Sequence, residues 1–404
     1  MRRAVIIGAN ACGASAAGVL REEGFDGDVV LIGEEPTPPY ERPPLSKEYL
    51  RGEQTLDHSY MRTLDWYDEQ DIDARFGIRA TGIDTAAKLV TLDGGDEIAY
   101  DSLLIATGIR NRQLDVPGSD LPGVFGLRTA TDADAIREAA ETASRVTVVG
   151  MGFIGAEVAA SLRGMGLEVT VVEFFETALF RVLGPEFGRV IEEIHREHGV
   201  EMRFGEGVEA FEGDDRVRSV VTSSGARVEC DFAVVGVGTV PNAELAQAAG
   251  IACENGILVD ASLGTSAQDV FAGGDVANHD HPLFGRMRIE HFDNAVKMGA
   301  TAARNMLGAE EVFDDVHWFW SDQYDANIQM AGFAPVCDAV VTRGDLADHA
   351  GFSAFYLDGG AVAQIFGLNR PRDVRRAIPL IRAGVRADPA ALADEATDLR
   401  TLGA

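Results

Sequence analysis

RVTVVGMGFIGAEVAASLRGMGLEVTVVE, residues 145–173, reads as strand, tight turn, helix and second strand. Val146, Val148 and Val149 form a β-branched run that stops at Gly150, and Gly150, Gly152 and Gly155 follow in G-x-G-x-x-G spacing. The first glycine permits the turn, the second lets backbone amides approach a pyrophosphate, and the third lets helix and strand touch. Ile154, Val158, Leu162 and Met165 then recur at helical spacing, an apolar stripe suited to packing on a sheet. The strand at 168–172 runs into Glu173, 23 residues past Gly150, where a carboxylate can accept hydrogen bonds from both hydroxyls of an adenosine ribose. A 2′-phosphate would meet that negative charge, so the pattern favours NAD over NADP. A lone G-x-G-x-x-G is weak evidence, but strand, glycines, helix, second strand and terminal acid in one run mark a dinucleotide-binding unit.

A second such unit opens the chain. Residues 4–7 read as a buried strand, and Gly8, Asn10 and Gly13 occupy the three fingerprint positions, with the middle glycine missing. A helix at 14–22 and a strand at 28–32 follow, and Glu34 and Glu35 stand 26 and 27 residues past Gly8. Asn10 crowds the place where backbone would approach a phosphate, although Asn tolerates unusual φ better than most residues. Cofactor contacts are therefore placed at Gly8, Asn10, Ala11 and Gly13 in this turn, and at Gly150, Gly152, Phe153, Ile154 and Gly155 in the other.

The chain's bulk properties are consistent with this. At 404 residues it is long for one core and suggests two or three domains. A formal net charge of −30 argues against nucleic acid and against anionic membrane surfaces as partners. Cys12, Cys230, Cys253 and Cys337 are far apart with no C-x-x-C pair, which disfavours disulfides, a metal site and a redox dithiol. Residues 1–20 imitate a signal peptide but are absorbed by the first strand, turn and helix. No run reaches the roughly 18 apolar residues of a membrane span. A reduced, cytoplasmic enzyme is the expectation.

Between the units, 36–47 (PTPPYERPPLSK) is too proline-rich for helix or central strand and reads as an irregular loop carrying Glu41, Arg42 and Lys47. Residues 71–100 read as small strands with a turn at Asp93-Gly94-Gly95. The strand at 103–105 closes in Ala106-Thr107-Gly108, and the strand at 232–238 closes in Gly238, weak evidence for internal duplication, and these four residues are further candidate cofactor contacts. Helices are expected at 131–143, 185–198 and 293–307, the last with Asp293 as N-cap. From 313 the character changes: two tryptophans fall in WFWSDQ (318–323), 329–366 alternates like an antiparallel sheet, and helices are expected at 375–386 and 389–395. The expected domains are 1–109 with 239–312, 110–238, and 313–404.

Several of these motifs together resemble the FAD-dependent NAD(P)H:ferredoxin reductases, the family of putidaredoxin reductase and of the reductase components of aromatic-ring dioxygenases, within the pyridine nucleotide-disulfide oxidoreductases. The residues that carry the resemblance are YERPPLSK (40–47), LIATG (104–108), the turn and helix start at 150–157, VFAGGD (270–275) and WFWSDQ (318–323). The fold implied is α/β, with two Rossmann-like dinucleotide-binding domains arranged as in glutathione reductase and a C-terminal α+β domain.

The resemblance implies FAD in domain 1–109/239–312 and NADH in domain 110–238. Glu34 resembles the residue holding the FAD ribose, with Glu35 the second candidate. Arg42, Lys47, the backbone of Ala80, Arg128, Gly274 and Asp275 resemble further flavin contacts, and Glu290, His291 and Phe292 lie near the expected pyrimidine edge. Trp320 resembles the aromatic residue that covers the flavin. Lys47 and Glu157 resemble a lysine–glutamate pair beside flavin N5, the catalytic residues of this reading.

The reaction implied is hydride transfer from NADH to FAD, then single-electron transfer to a [2Fe-2S] ferredoxin that serves a haem monooxygenase or ring-hydroxylating dioxygenase. Arg370, Arg372, Arg375, Arg376, Arg382 and Arg386 form a candidate basic docking face, a solvated helix face being the equal alternative. A disulfide reductase would need a cysteine pair near the flavin, and an NADH oxidase a cysteine in the region of Arg42 and Pro43. An NADH-responsive flavoprotein acting through partner binding, similar to apoptosis-inducing factor, remains the alternative, and a weak homodimer is left open.

Overall fold

A computed structural model describes residues 2–346 and 351–403. Residues 1, 347–350 and 404, which the ranges 1–109, 313–404 and 329–366 include, lie outside the described residues. The chain divides into two compact units. The first comprises Met1–Glu41, Leu56–Arg110 and Val240–His317, and the second comprises Arg42–Thr55, Asn111–Thr239 and Trp318–Ala404.

The first unit is built on a five-stranded parallel sheet. Its order is Val270–Ala272, Ser102–Ile105, Arg3–Ile7, Asp28–Gly33, Ile72–Phe76. The inner strands Arg3–Ile7, Asp28–Gly33 and Ser102–Ile105 are near-continuous apolar runs with both faces buried, whereas the edge strand Ile72–Phe76 is polar in part and only partly buried. The Cys12–Glu22 helix packs closely on the Phe292–Met306 helix: a Cβ on Gly299 would stand 2.2 Å from the Cys12 carbonyl oxygen. An antiparallel meander of Ala80–Asp84, Leu89–Leu92 and Glu97–Ala99 turns at the glycine pair 94–95 as its sequence indicates.

The second unit repeats the plan. Its parallel sheet runs Glu201–Phe204, Glu168–Glu173, Arg145–Val149, Phe232–Val235, Val124–Phe125. The two sheets share one order over four strands and one register, with Ile7 opposite Ile32 in the first and Val149 opposite Val172 in the second. Also in this unit is a five-stranded antiparallel sheet, ordered Trp318–Gln323, Ala326–Gly332, Ala361–Leu368, Phe352–Asp358, Ala339–Arg343, with the Pro371–Arg382 helix after it. The α/β class with an additional C-terminal α+β part is thus the observed architecture.

Local differences from the sequence reading have local causes. The proline loop contains one 3-10 turn, Pro43–Ser46, because proline is tolerated in the first positions of a helix. The helix expected at 185–198 extends back to Phe180–Glu197 across a break at Gly184, φ 72, which Pro185 follows. Asp293 is not an N-cap: the helix is Phe292–Met306, its N-cap is His291, and Asp293 pairs instead with Lys297 at 2.7 Å one turn on. The helix placed at 375–386 is Pro371–Arg382, started by its proline, so Arg386 lies beyond it. The helix stripe proposed from Ile154 is buried at Val158 and Leu162, but Ile154 itself is 48% exposed. The described cysteines are all free. Among the described residues no helix is long and apolar enough to cross a membrane, and no group of three or more His, Cys, Asp or Glu could hold a metal ion.

Candidate functional site

Each parallel sheet presents a glycine turn at the C-terminal end of its central strand, and the two turns are built alike. Gly8 has φ +100, and a Cβ there would stand 2.1 Å from the Ala106 carbonyl oxygen; Gly150 has φ +97, with 2.4 Å to that of Gly236. The third glycines press on the first: a Cβ on Gly13 would lie 1.9 Å from the Gly8 oxygen, and one on Gly155 2.0 Å from that of Gly150. Only glycine fits at these positions. The middle positions differ. A Cβ on Gly152 would meet nothing within 4 Å, so the second turn leaves open space beside a helix whose N-cap, Gly152 itself, makes no side-chain cap. Open space beside uncapped amides is the arrangement that suits a pyrophosphate, so the residues of this turn are compatible with a dinucleotide.

In the first turn the Asn10 Oδ1 accepts from two backbone amides, Ala11 N at 3.0 Å and Tyr40 N at 3.2 Å. The side chain so ties the turn to the loop after the second strand, and Ala11 takes the strain at φ 26. The Cys12–Glu22 helix also begins without a side-chain cap, which again suits an anion. Thr107 and Asn242 lock the neighbouring turn by two bonds, 2.7 and 2.9 Å, and Gly108 accepts from Asn242 N at 2.9 Å.

The three acids at strand ends are not equivalent. Glu173 is 8% exposed; its carboxylate accepts from Met151 N at 2.5 Å and Phe175 N at 2.8 Å, which fixes it against the glycine turn. Lone-pair sites remain for ribose hydroxyls. Glu34 is exposed, 3.6 Å from Arg79, whereas Glu35 accepts from the Tyr40 hydroxyl. Also in the first unit, Gly274 and the buried Asp275 lie in a single 3-10 turn, Ala80 starts its strand, and Glu290 pairs with Arg288 at 2.6 Å. Burial pushes the His291 imidazole down to about 4, so the residue before Phe292 is neutral near pH 7. Burial, and secondarily Asp275, raises the Cys12 thiol far above its usual range, so it is no thiolate.

The second unit brings Lys47 and Glu157 together. Nζ stands 2.8 Å from Oε2, and the side chains are 7% and 5% exposed. Glu157 projects from the Phe153–Gly164 helix one turn beyond the glycine cradle. Its Oε2 also accepts from Ser46, and its Oε1 from Ser321 at 2.7 Å. The Trp318–Gln323 strand supplies Ser321 by alternation: Phe319, Ser321 and Gln323 share one face, and Phe319 meets Phe153 edge-on at 4.7 Å. Trp318 and Trp320 stack on each other at 5.3 Å. Arg42 donates to the Arg128 carbonyl at 2.5 Å, so these two predicted contacts are neighbours, and Arg112 N donates to Gly238 O at 2.9 Å.

The candidate residues thus fall into two groups. Gly8, Asn10, Ala11, Gly13, Glu34, Glu35, Ala80, Ala106, Thr107, Gly108, Gly274, Asp275, Glu290, His291 and Phe292 belong to the first unit; Arg42, Lys47, Arg128, Gly150, Gly152, Phe153, Ile154, Gly155, Glu157, Glu173, Gly238 and Trp320 to the second. Sequence reasoning missed the roles of Ser46 and Ser321. Both stood inside motifs already singled out, but a small hydroxyl residue carries no signal until its partner is known.

Comparison with known proteins agrees with this geometry. Residues 2–299 match the family described as pyridine nucleotide-disulphide oxidoreductase, and residues 318–403 match that described as reductase C-terminal. The chain is 39% identical to rhodocoxin reductase of Rhodococcus erythropolis over 98% of its own length and 93% of that protein's. It is 35% identical to putidaredoxin reductase of Pseudomonas putida, over 98% and 96%. Among solved structures it is similar to the ferredoxin reductase for the CYP199A2 system of Rhodopseudomonas palustris, with a TM-score of 0.97, 36% identity and full coverage of both chains. It is also similar to a covalent putidaredoxin reductase–putidaredoxin complex, with a TM-score of 0.96 and 34% identity over 99% and 98%. Two repeated nucleotide turns, a buried lysine–glutamate pair and an antiparallel C-terminal sheet therefore have one explanation: the chain belongs to the pyridine nucleotide-disulphide oxidoreductase family, whose members bind FAD, and carries its reductase C-terminal domain.

Proposed function

We propose that this protein is an FAD-dependent NADH:ferredoxin oxidoreductase of the cytoplasm, passing electrons to a [2Fe-2S] ferredoxin that supplies a haem monooxygenase or a ring-hydroxylating dioxygenase. The observation that carries the proposal is the buried Lys47–Glu157 pair, 2.8 Å apart, one helical turn past an open glycine cradle. The names of the relatives point the same way. FAD belongs to 1–109 and 239–312, NADH to 110–238, and 313–404 forms the C-terminal domain. When bound, FAD supplies a carrier that accepts an electron pair from nicotinamide and releases electrons singly.

The chain's residues do the rest. Gly152 and the uncapped amides beside it receive the NADH pyrophosphate, and Glu173, held by two backbone donors, accepts the ribose hydroxyls and repels a 2′-phosphate. Gly8, Gly13 and the open start of the Cys12–Glu22 helix receive the FAD pyrophosphate, Glu34 or Glu35 its ribose, and Asp275 the ribityl chain. Lys47 and Glu157 orient the nicotinamide.

Anaerobic titration of the purified holoprotein with NADH and with NADPH, followed by addition of an oxidised [2Fe-2S] ferredoxin while the flavin absorbance is followed, tests the proposal. NADH should bleach the flavin absorbance at lower concentration than NADPH, and ferredoxin should restore it. Equal response to both nucleotides would remove the role of Glu173. Restoration by oxygen or a disulfide but not by a ferredoxin would remove the proposed acceptor.

A further inference from the structure

The Lys47–Glu157 pair ends a longer file of hydrogen bonds, and valence sets the direction of every link. The Glu157 carboxylate only accepts, so the Ser321 hydroxyl donates to Oε1 at 2.7 Å. The lone pairs of Ser321 then take the amide hydrogen of Gln323 Nε2 at 3.2 Å. The amide oxygen of Gln323 can only accept, so the 3.0 Å contact with His195 requires the hydrogen on Nε2 of that ring. Burial holds the His195 imidazole down to about 4, so the ring is neutral near pH 7 and its Nδ1 accepts, here from the Tyr324 hydroxyl at 3.2 Å. Burial raises the Tyr324 phenol, which remains a donor. Tyr324 in turn stacks on the exposed His198, centroids 3.6 Å apart and planes 8° from parallel.

We propose that Tyr324, His195, Gln323 and Ser321 are positioning residues for this pair: a one-way file of donors that fixes the rotation of the Glu157 carboxyl group and, through it, the ammonium of Lys47. The inference rests on the role given above to Lys47 and Glu157 and names what holds them. His195 and Ser321 are 0% exposed and Gln323 1%. Polar side chains buried to that degree are costlier than apolar ones of equal volume unless a fixed arrangement is gained. Donors aligned head to tail polarise one another, so the loss of any member loosens the last bond. Without Ser321, Oε1 has no donor among the described residues and the carboxyl group can turn away from Lys47.

Two measurements test this. In protein labelled with nitrogen-15 in histidine, with or without cofactor, the His195 resonances should report the neutral Nε2–H form near pH 7. The Nδ1–H form would mean that the amide faces the other way and Ser321 receives no donor, which overturns the proposal. In rapid-mixing reduction of the holoprotein by NADH, Ser321→Ala and Gln323→Leu should each slow the step about 10-fold at saturating NADH, as small misplacements do. KM for NADH should stay within about twofold. Ser321→Thr, which keeps the hydroxyl, should restore the rate, and Ser321→Ala added to Glu157→Gln should cost nothing further. If Glu157→Gln leaves the rate unchanged, the role of the pair itself falls and this inference with it. If Glu157→Gln is slow while Ser321→Ala and Gln323→Leu are not, the pair stands and the positioning file is refuted.

Discussion

Gly152 and Gly155 are the same residue three positions apart, and their surroundings assign them opposite duties. A Cβ at Gly155 would enter the Gly150 carbonyl at 2.0 Å, so its smallness serves helix–strand contact and stability. A Cβ at Gly152 would meet nothing within 4 Å of protein, so its smallness serves whatever enters that space. Gly155→Ala should therefore lower Tm by several degrees, whatever the ligand, because the clash is with backbone. Gly152→Ala should leave the melt within about 2 °C, since φ is already negative and an alanine lowers the entropy of the unfolded chain. It should weaken NADH binding at least about 10-fold, the methyl group standing where the pyrophosphate approaches. Thermal melts and NADH titration of the two variants check both halves, and unchanged NADH affinity in Gly152→Ala would mean the open space is not the nucleotide's.

Among the elements, the Pro371–Arg382 helix turns two charged residues inward or aside and leaves a basic face. Asp373 is buried near Arg343, and Arg376 is 3.9 Å from Asp398, whereas Arg372, Arg375 and Arg382 are exposed. Against a net charge of −30 such a face is the kind of local exception an acidic ferredoxin requires. Reversing Arg372 and Arg375 to glutamate should lower ferredoxin reduction about 10-fold at low ionic strength, less in high salt, and leave reduction of a small dye intact. Equal loss on both acceptors would refute docking there.

Elements also explain what could be read in advance. The two nucleotide turns were legible because their constraint is local: a positive φ and a carbonyl at 2.0 Å act within a few residues. The helix from Pro185 was legible, but the turn before it was not: proline marks a helix start, and nothing in the sequence pattern showed that the helix runs back to Phe180 across Gly184. The Ser321 bond to Glu157 was not legible. It joins residues 164 positions apart, through strand alternation and a helix face at once, and neither local pattern reports the other. The same holds for Asn10, whose side chain looked like an obstacle to a phosphate and proves to be a brace for Tyr40.

Over the whole molecule, buried neutral histidines set a lower limit of pH. Burial holds His195 and His279 down to about 4 and, with nearby cationic and imidazole groups adding, His317 to about 2. All three are at most 5% exposed. In the unfolded chain each would take a proton near pH 6.5, so below that value the unfolded state binds more protons than the folded one. The stability from neutral burial is therefore complete above about pH 6.5 and is withdrawn as pH falls toward 4. At pH 5 each residue forfeits on the order of 2 kcal/mol, and three together approach the net stability of a typical domain. Tm should be level between pH 7 and 8 and fall steeply from 6.5 to 5. His317→Phe should flatten that fall by about a third. Among the described residues its Nδ1 has no hydrogen-bond partner, and Nε2 meets only the Met287 sulfur, so little bonding is lost with the ring nitrogens. A Tm that stays level down to pH 5 would show that these imidazoles accept protons without unfolding.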